Sequence, residues 1–298
     1  AQPEAPSRRP RAAARVHDCQ ARAWRPVTRT LAARGGPMKH IRKPAVAGKF
    51  YPASKAALQA SVAGYLSSGH PSDAVPKALI VPHAGYQYSG PIAGAAYALL
   101  KKLRGRISRV LLIGPAHHLL VAGLVGPDST AFSTPLGEVT IDVAAMESLL
   151  KLPQVSLNDA AHEPEHSLEV QLPFLQSVLG DFQVVPLLAG DAAAEDVAEV
   201  IDCFWDPPEN LIVISSDLSH FRDYDDATRI DTATAAAIAR LECDDLTGEQ
   251  ACGFRGIRGL LQVARRHGAT ARILDVRNSG DTAGSRDRVV GYGAFAVV

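Results

Sequence analysis

Residues 109–118 read RVLLIGPAHH, a short apolar run that stops at Gly114 and Pro115 and ends in two histidines. Two other stretches repeat this arrangement: ALIVPHAG at residues 78–85 and LIVISSDLSH at residues 211–220. Short runs of Ile, Leu and Val between Pro, Gly and Ser-Asp are typical of buried strands. The three stretches therefore predict strands of one α/β sheet, each with polar side chains at its carboxyl end.

The rest of the chain from residue 38 onward alternates strand and helix patterns. Further strands are predicted at residues 182–190, 271–276 and 289–298, and the polar segment 128–135 is predicted to be a loop between two shorter strands. Helical spacing of apolar residues predicts helices at 89–103, 144–152, 166–180, 194–205, 226–241 and 255–268. This order favours a single α/β domain over residues 38–298, with a central, mostly parallel or mixed sheet flanked by helices.

The amino-terminal segment differs in composition from the rest. Residues 1–37 contain eight arginines and two acidic residues, a net charge of +6, although the whole chain has a net charge of zero. The segment has few aromatic residues and no amphipathic stripe, which argues against a nucleic-acid or membrane partner. We expect a basic extension that is disordered or non-native, with Met38 as the natural start. An Arg-rich targeting peptide is the alternative, which the scarcity of serine disfavours.

Composition narrows the class of protein. Hydrophobic residues make up 47% and charged residues 21%, as in globular proteins that bury a large core. No apolar run of 18 or more residues is present, and the start does not resemble a secretory signal, so we expect a cytoplasmic protein without a membrane partner. The four cysteines form no CxxC pair, which argues against an all-cysteine zinc site.

Histidines at the predicted strand ends point to one constructed site, because loops at the carboxyl ends of α/β strands form the ligand crevice. His83 follows one strand, where Pro82 and Gly85 hold a short turn; a turn histidine bonded to backbone is the alternative. Adjacent side chains on extended backbone point to opposite sides, so of the next pair we expect His117 to enter the site and His118 to lie beside it.

The third stretch places Asp217 three residues before His220. A carboxylate beside an imidazole fixes its tautomer and raises its basicity, which suits general acid–base catalysis. An Asp that caps the next helix, with an exposed histidine, is the alternative.

Two further segments carry polar groups that belong near such a site. In EHSLE, residues 165–169, His166 and Glu169 are predicted to share one face of a helix and to support the ligands from outside; a polar helix start is the alternative. Cys252 lies in a loop-like stretch, EQACGFRG, although a lone cysteine is more often a small buried hydrophobe.

Six motifs in order resemble the Memo family, whose bacterial and archaeal members are called AmmeMemoRadiSam system protein B. They are PAVAGKFYP (44–52), PHAGYQYSG (82–90), GPAHH (114–118), EHSLEVQLPF (165–174), SSDLSHF (215–221) and GYGAF (291–295). The resemblance runs from about residue 38 to residue 298. It implies a fold similar to the class III extradiol dioxygenases, which are non-haem Fe(II) enzymes, and the family name implies a functional association with a radical-SAM protein.

The resemblance also implies roles for individual residues. The implied metal ligands are His83, His117 and Cys252. His220, with Asp217 beside it, matches the acid–base histidine of the dioxygenases. Phe50 and Tyr88 match aromatic residues near the mouth of the substrate pocket. The departure from the dioxygenases is the third ligand, because a thiolate here takes the place of the carboxylate of the usual iron site.

Two classes of function remain open from the sequence. The first is a redox enzyme that binds one transition-metal ion, with Fe(II) favoured and copper or zinc as alternatives, and acts on a small molecule or peptide. The second is a non-catalytic protein that uses the same crevice to bind peptides or to handle metal. A metal-dependent hydrolase ranks below both, because such sites usually need several carboxylates and only Asp217 qualifies clearly.

Overall fold

The three histidine-bearing stretches form neighbouring strands of one mixed sheet. The computed structural model describes residues 40–67, 75–242 and 244–298. Its strands are β1 (Ile41–Arg42), β2 (Ala78–Val81), β3 (Arg109–Pro115), β4 (Leu124–Gly126), β5 (Ala131–Thr134), β6 (Gly137–Ile141), β7 (Val155–Leu157), β8 (Gln183–Ala189), β9 (Asn210–Ser215), β10 (His220–Arg222), β11 (Ala271–Asn278) and β12 (Val289–Val297). They run in the order β1-β5-β6-β8-β3-β9-β2-β12-β10, with β11 paired to β12 and β4 paired to β7 and β8.

Parallel pairing at the centre of the sheet brings the predicted site residues to one edge. Strand β3 pairs with both β8 and β9, and β9 pairs with β2, all in parallel. Ile113 lies opposite Ile214, and Ser215 lies opposite Val81, so these three strands end side by side. All residues of β2 and β9 are buried, which explains why their sequences are continuously apolar rather than alternating.

Helices flank this sheet. They are α1 (Lys55–Ser67), α2 (Tyr86–Tyr97), α3 (Val143–Leu149), α4 (Asp159–His162), α5 (Leu172–Leu179), α6 (Ala194–Trp205), α7 (Tyr224–Ala239) and α8 (Phe254–Arg266), with 3-10 turns at Ala98–Leu103, Glu169–Gln171 and Ser279–Asp281. Helices α6 and α8 pack on each other and on β9, and α2 packs on β11 and β12. The predicted α/β class, with a mixed sheet flanked by helices, is confirmed.

Two local predictions are wrong. Residues 166–168 are not helical, and α5 begins only at Leu172. Pro173 lies in the first turn of α5, where its missing N–H costs nothing, whereas a helix from residue 166 would place it in the interior. The segment predicted as a loop at 128–135 contains β5, whose Phe132 lies opposite both Arg42 of β1 and Val139 of β6.

The basic extension predicted for residues 1–37 lies outside the described residues, so that prediction stays untested. Within the described part of the chain, no helix combines the length and the hydropathy that a membrane span requires.

Candidate metal centre

Three imidazole rings converge at the carboxyl edge of the central strands. Ring nitrogens of His83, His117 and His166 all lie within 4.8 Å of one another. His83 and His117 each lie two residues beyond the end of their strand, and His166 lies on the non-helical segment before α5. The ring centroids are 5.1 Å apart for His83 and His117, 5.5 Å for His83 and His166, and 4.8 Å for His117 and His166. Thus the topology places three potential ligands in one small volume.

The tautomer of His83 follows from its neighbours. Its Nδ1 lies 2.9 Å from Ser215 Oγ, which donates its one proton to Ser167 O at 2.6 Å and accepts from Gln171 Nε2 at 2.8 Å. Since a hydroxyl has a single proton, Ser215 must accept from His83 Nδ1–H. The lone pair of His83 is therefore on Nε2. Burial, with the neighbouring histidines, holds the pKa of His83 well below its ordinary value, so this imidazole is neutral.

Glu165 orients His117 in a similar way. Its carboxylate accepts from His117 N at 2.6 Å and from His117 Nδ1 at 3.0 Å, and also from the backbone N–H groups of His166 and Ser167. A carboxylate can only accept, so Nδ1 of His117 carries a proton, and in the neutral form of the ring Nε2 carries the lone pair. Burial raises the pKa of Glu165, but hydrogen bonds and charge from His117 outweigh it and hold the pKa well below its ordinary value.

His166 lies among the potential ligands and not, as the sequence predicts, outside them. It was expected beside the ligands, yet its ring stacks on His117 at 4.8 Å and belongs to the nitrogen cluster. Burial lowers the pKa of His166 to about 4, against the opposing influence of Glu165, so the ring is neutral near pH 7. The non-helical backbone at residues 166–168 turns His166 and Glu169 toward different neighbours, which is why the predicted shared helix face does not exist.

Cys252 lies against the cluster through His83. Its Sγ is 3.4 Å from His83 Nε2, the nitrogen that carries the lone pair, and it accepts from Asp217 N at 3.3 Å. The turn before α8 positions this thiol at the edge of β9. Burial and the nearby Asp217 raise the pKa of the thiol to about 12. The 4.8 Å group of ring nitrogens does not include Cys252, so the thiol is an adjacent donor on the His83 side.

The predicted acid–base pair occupies the same edge. The buried Asp217 accepts from His83 N at 2.7 Å, so its carboxylate holds the backbone that carries a candidate ligand. Burial raises the pKa of Asp217 to about 6, although the His83 bond and the charge of His220 act in the opposite direction. His220, at the start of β10, is partly exposed and close enough to influence the pKa of both Asp217 and His83.

Of the residues predicted to support the ligands from outside, Glu169 lies deepest in the protein. Glu169 is fully buried, and both of its carboxylate oxygens have partners. The carboxylate pairs with Arg42 and accepts hydrogen bonds from Tyr51 OH at 2.6 Å and from Ala45 N and Val46 N. Arg42 in turn donates to the carbonyls of His162, Glu163 and Glu165. Glu169 therefore ties the segment that carries Glu165 and His166 to the strand at the edge of the sheet.

The other predicted outer residues lie closer to solvent. His118 is exposed, and its ring forms a second cluster of potential ligands with Glu165 and His166. The Phe50 ring centroid is 4.8 Å from that of His166, so this aromatic residue contacts the histidine cluster on the His166 side. Tyr88 lies in the first turn of α2, five residues after His83.

Sequence reasoning missed the residues that fix the ligands. Ser215, Gln171, Glu165 and Arg42 were not predicted as part of the site. Ser215 carried a signal, because it is the polar residue that ends an apolar strand, β9, next to the strand that precedes His83. Gln171 and Arg42 carried none, since each reaches the site only through the packing of distant segments.

The donors present fit a transition metal. Imidazole nitrogen suits zinc, copper and iron, and a thiol favours the softer members of this group. Two of the three imidazoles have their outer nitrogen bonded to a hydroxyl or a carboxylate, as is usual for metal-binding histidines. The cluster therefore has both the donors and the supporting bonds of a metal site.

Comparison with known proteins gives the family. The model of the Memo-like proteins matches residues 42–296. A MEMO1 family protein of Aquifex aeolicus is 36% identical over 264 residues, covering 85% of this chain and 97% of that protein. A relative of the same name from Thermotoga petrophila is 36% identical and covers 84% of this chain and 97% of its own length. Another, from Methanobrevibacter smithii, is 33% identical and covers 85% of this chain and 98% of its own length.

Among solved structures, the chain is similar to the uncharacterised protein JW3007 of Escherichia coli K12. The identity is 15% and the TM-score is 0.46, with 73% of this chain and 99% of that chain covered. The family match and the relatives span nearly all of the sequence that the six motifs marked out, from the first strand to the last. The chain therefore belongs to the Memo family.

Proposed function

We propose that this protein binds one transition-metal ion, iron or copper, and uses it in a redox reaction on a small substrate. The observation that carries the proposal is the convergence of His83, His117 and His166 within 4.8 Å, with the Cys252 thiol 3.4 Å from His83 Nε2. When bound, a redox-active ion held by these imidazoles would supply one-electron chemistry. The proposal adds His166 to the predicted ligands His83, His117 and Cys252.

The chain's own residues would prepare this chemistry in two ways. Ser215 and Glu165 keep Nε2 of His83 and of His117 available for a metal, so little reorganisation accompanies binding. His220, which is partly exposed and close enough to Asp217 to influence its pKa, would take a proton from a bound substrate and return it. Asp217 contributes by holding the backbone of His83 and by its negative charge beside His220.

A second candidate function, metal handling without catalysis, draws support from one observation. The fourth donor is the thiol of Cys252 rather than a carboxylate, and a sulfur donor with imidazoles suits Cu(I). A protein of this kind would bind copper tightly and would not consume oxygen.

The experiment that separates these functions measures metal and oxygen together. The full chain is purified without oxygen, iron, copper and zinc are quantified, and oxygen consumption is followed with ascorbate as the reductant. We expect about one metal ion per chain and oxygen consumption that the His83→Ala/His117→Ala variant lacks. His220→Ala should keep the metal and lose most of the consumption.

The exposed His40 offers a matched control, because His40→Ala also removes one imidazole but lies outside the cluster. Bound copper without oxygen consumption would favour metal handling. Metal-loaded protein that consumes no more oxygen than the double variant would contradict the redox proposal.

A further inference from the structure

A cavity of about 580 Å³ adjoins the metal centre on the side of His117 and Cys252. We call it the Arg255 cavity. It lies at the carboxyl ends of β3 and β8, and it is lined by His117, Leu119, Leu120, Val121, Cys252 and Arg255, among others. Cavities of roughly 300–1,000 Å³ are the usual size of small-molecule sites. The Arg255 cavity therefore has room for a small organic ligand that reaches two of the proposed metal-site residues.

The walls of the cavity are mostly apolar. Residues 119–122 contribute Leu119, Leu120, Val121 and Ala122, and β3 contributes Ile113. The Leu120 side chain is fully exposed, with 105% relative accessibility, and Leu119 is 42% exposed. Exposed leucines that line a concavity mark a place where an apolar ligand gains free energy by removing them from water.

One permanent positive charge lies among the lining residues that the structure describes. The Arg255 guanidinium is 3.1 Å from the Asp191 carboxylate, and its Cζ lies 4.6 Å from the Phe254 ring centroid. The Asp191 side chain is 91% exposed, so this ion pair is a surface pair that contributes little to stability. A carboxylate on a ligand can replace Asp191 with bidentate geometry at little cost.

We propose that the Arg255 cavity binds a small molecule with an apolar body and one carboxylate. The carboxylate pairs with Arg255, the apolar body lies along Leu119 and Leu120, and the far end faces His117 and Cys252. The inference rests on the proposed redox function in one respect only, namely that this class of molecule is the substrate. Binding itself needs Arg255 and the apolar wall, and it does not need the metal.

A pair of matched probes tests the proposal on the metal-free full chain. Titration calorimetry compares 3-phenylpropanoate with 3-phenylpropanamide, which has nearly the same shape and no charge. We expect the acid to bind about tenfold more tightly, since a charge-assisted pair contributes roughly one such factor. Arg255→Gln should remove this preference, and Asp191→Asn should keep or increase it by freeing the guanidinium. Added salt should weaken the binding of the acid more than that of the amide.

Arg229→Gln is the matched control, because Arg229 also pairs with a neighbouring aspartate on an exposed helix surface but lies outside the cavity. Thermal unfolding of each variant verifies that it is folded. Equal binding of acid and amide, no binding of either, or an acid preference that survives Arg255→Gln would overturn the inference. Because the metal is absent throughout, failure of the redox proposal leaves this result unchanged, and the two failures are distinguishable.

Discussion

Ser215 Oγ lies 2.9 Å from His83 Nδ1 and decides which nitrogen of that ring faces Cys252. The serine is the last residue of β9, and the histidine follows β2, so the parallel register of these two strands brings them together. The amide of Gln171 is itself oriented by Tyr97 OH, which donates to Gln171 Oε1 at 2.9 Å. The His83 ring is thus oriented by buried residues of the core.

Replacing Ser215 should weaken metal binding without removing a ligand. Ser215→Ala leaves His83 Nδ1 and one proton of Gln171 without their partner, and we expect about tenfold lower metal affinity, in the range found for residues that orient ligands. The unsatisfied groups should also lower the free energy of unfolding by about 1–3 kcal/mol. Competitive chelator titration and urea unfolding measure the two effects. Ser148→Ala, at a partly exposed helix position, is the control, and metal affinity equal to that of the control would refute the role of Ser215.

Glu165 should contribute more to metal affinity than the nearby Glu163. Glu165→Gln removes the acceptor that fixes His117 and replaces it with an amide that can offer its donor group to Nδ1, so we expect metal affinity to fall about 10- to 100-fold. Glu163→Gln, two residues away and exposed, should leave the affinity unchanged. The measurement is again chelator competition. Equal affinities of the two variants would show that His117 needs no carboxylate.

The buried pair of Arg42 and Glu169 should be important for stability. Removing the charge of Glu169 leaves a buried guanidinium without its counter-ion, which costs about 3–5 kcal/mol in comparable cases. We therefore expect Glu169→Gln to lower the free energy of unfolding in urea by about that amount. Glu242→Gln breaks an exposed pair with Arg240 and should produce no measurable change. A Glu169→Gln variant as stable as Glu242→Gln would contradict this account.

His162 should make the protein less stable in mild acid. Burial lowers its pKa from 6.5 to about 4, with Arg42 acting in the same direction and the Val125 carbonyl, Asp159 and Glu165 opposing. Between these values the unfolded chain binds a proton that the folded chain does not, so the free energy of unfolding falls as the pH falls from about 6.5 toward 4. The full contribution is about 3 kcal/mol.

The test is the pH dependence of urea unfolding in His162→Gln, whose amide can still donate to Val125 O in place of Nε2. We expect the variant to lose less stability than the wild type over this interval. The exposed His40 serves as the comparison, and a His162→Gln curve parallel to that of His40→Gln would exclude His162 as the source.

The architecture could be predicted because its determinants are local. Continuous apolar runs at β2, β3 and β9 identify strands buried on both faces, and the edge where they end follows from their parallel order. The convergence of His83 and His117 is a consequence of that order. The role of His166 could not be derived, because it depends on where α5 begins, and Pro173 together with the Glu165 carboxylate determines that point.

Contacts between distant segments are a second reason why parts of the site could not be predicted from the sequence. Arg42 is 127 residues from Glu169, and His83 is 132 residues from Ser215, so no periodicity in the sequence connects them. The lining of the Arg255 cavity likewise comes from β3, the segment after it and the start of α8. Family resemblance supplied Cys252 as a candidate ligand, which its local sequence alone favoured only weakly.

The central claim is that one metal ion is held by His83, His117, His166 and Cys252. Elemental analysis of anaerobically purified wild-type protein, beside His166→Ala, Cys252→Ser and the exposed-histidine control His40→Ala, tests it most directly. We predict about one iron or copper per chain in the wild type and in His40→Ala, and a clear loss in the other two variants. Metal retained in full by both His166→Ala and Cys252→Ser, or wild-type protein that takes up none on reconstitution, would contradict the account.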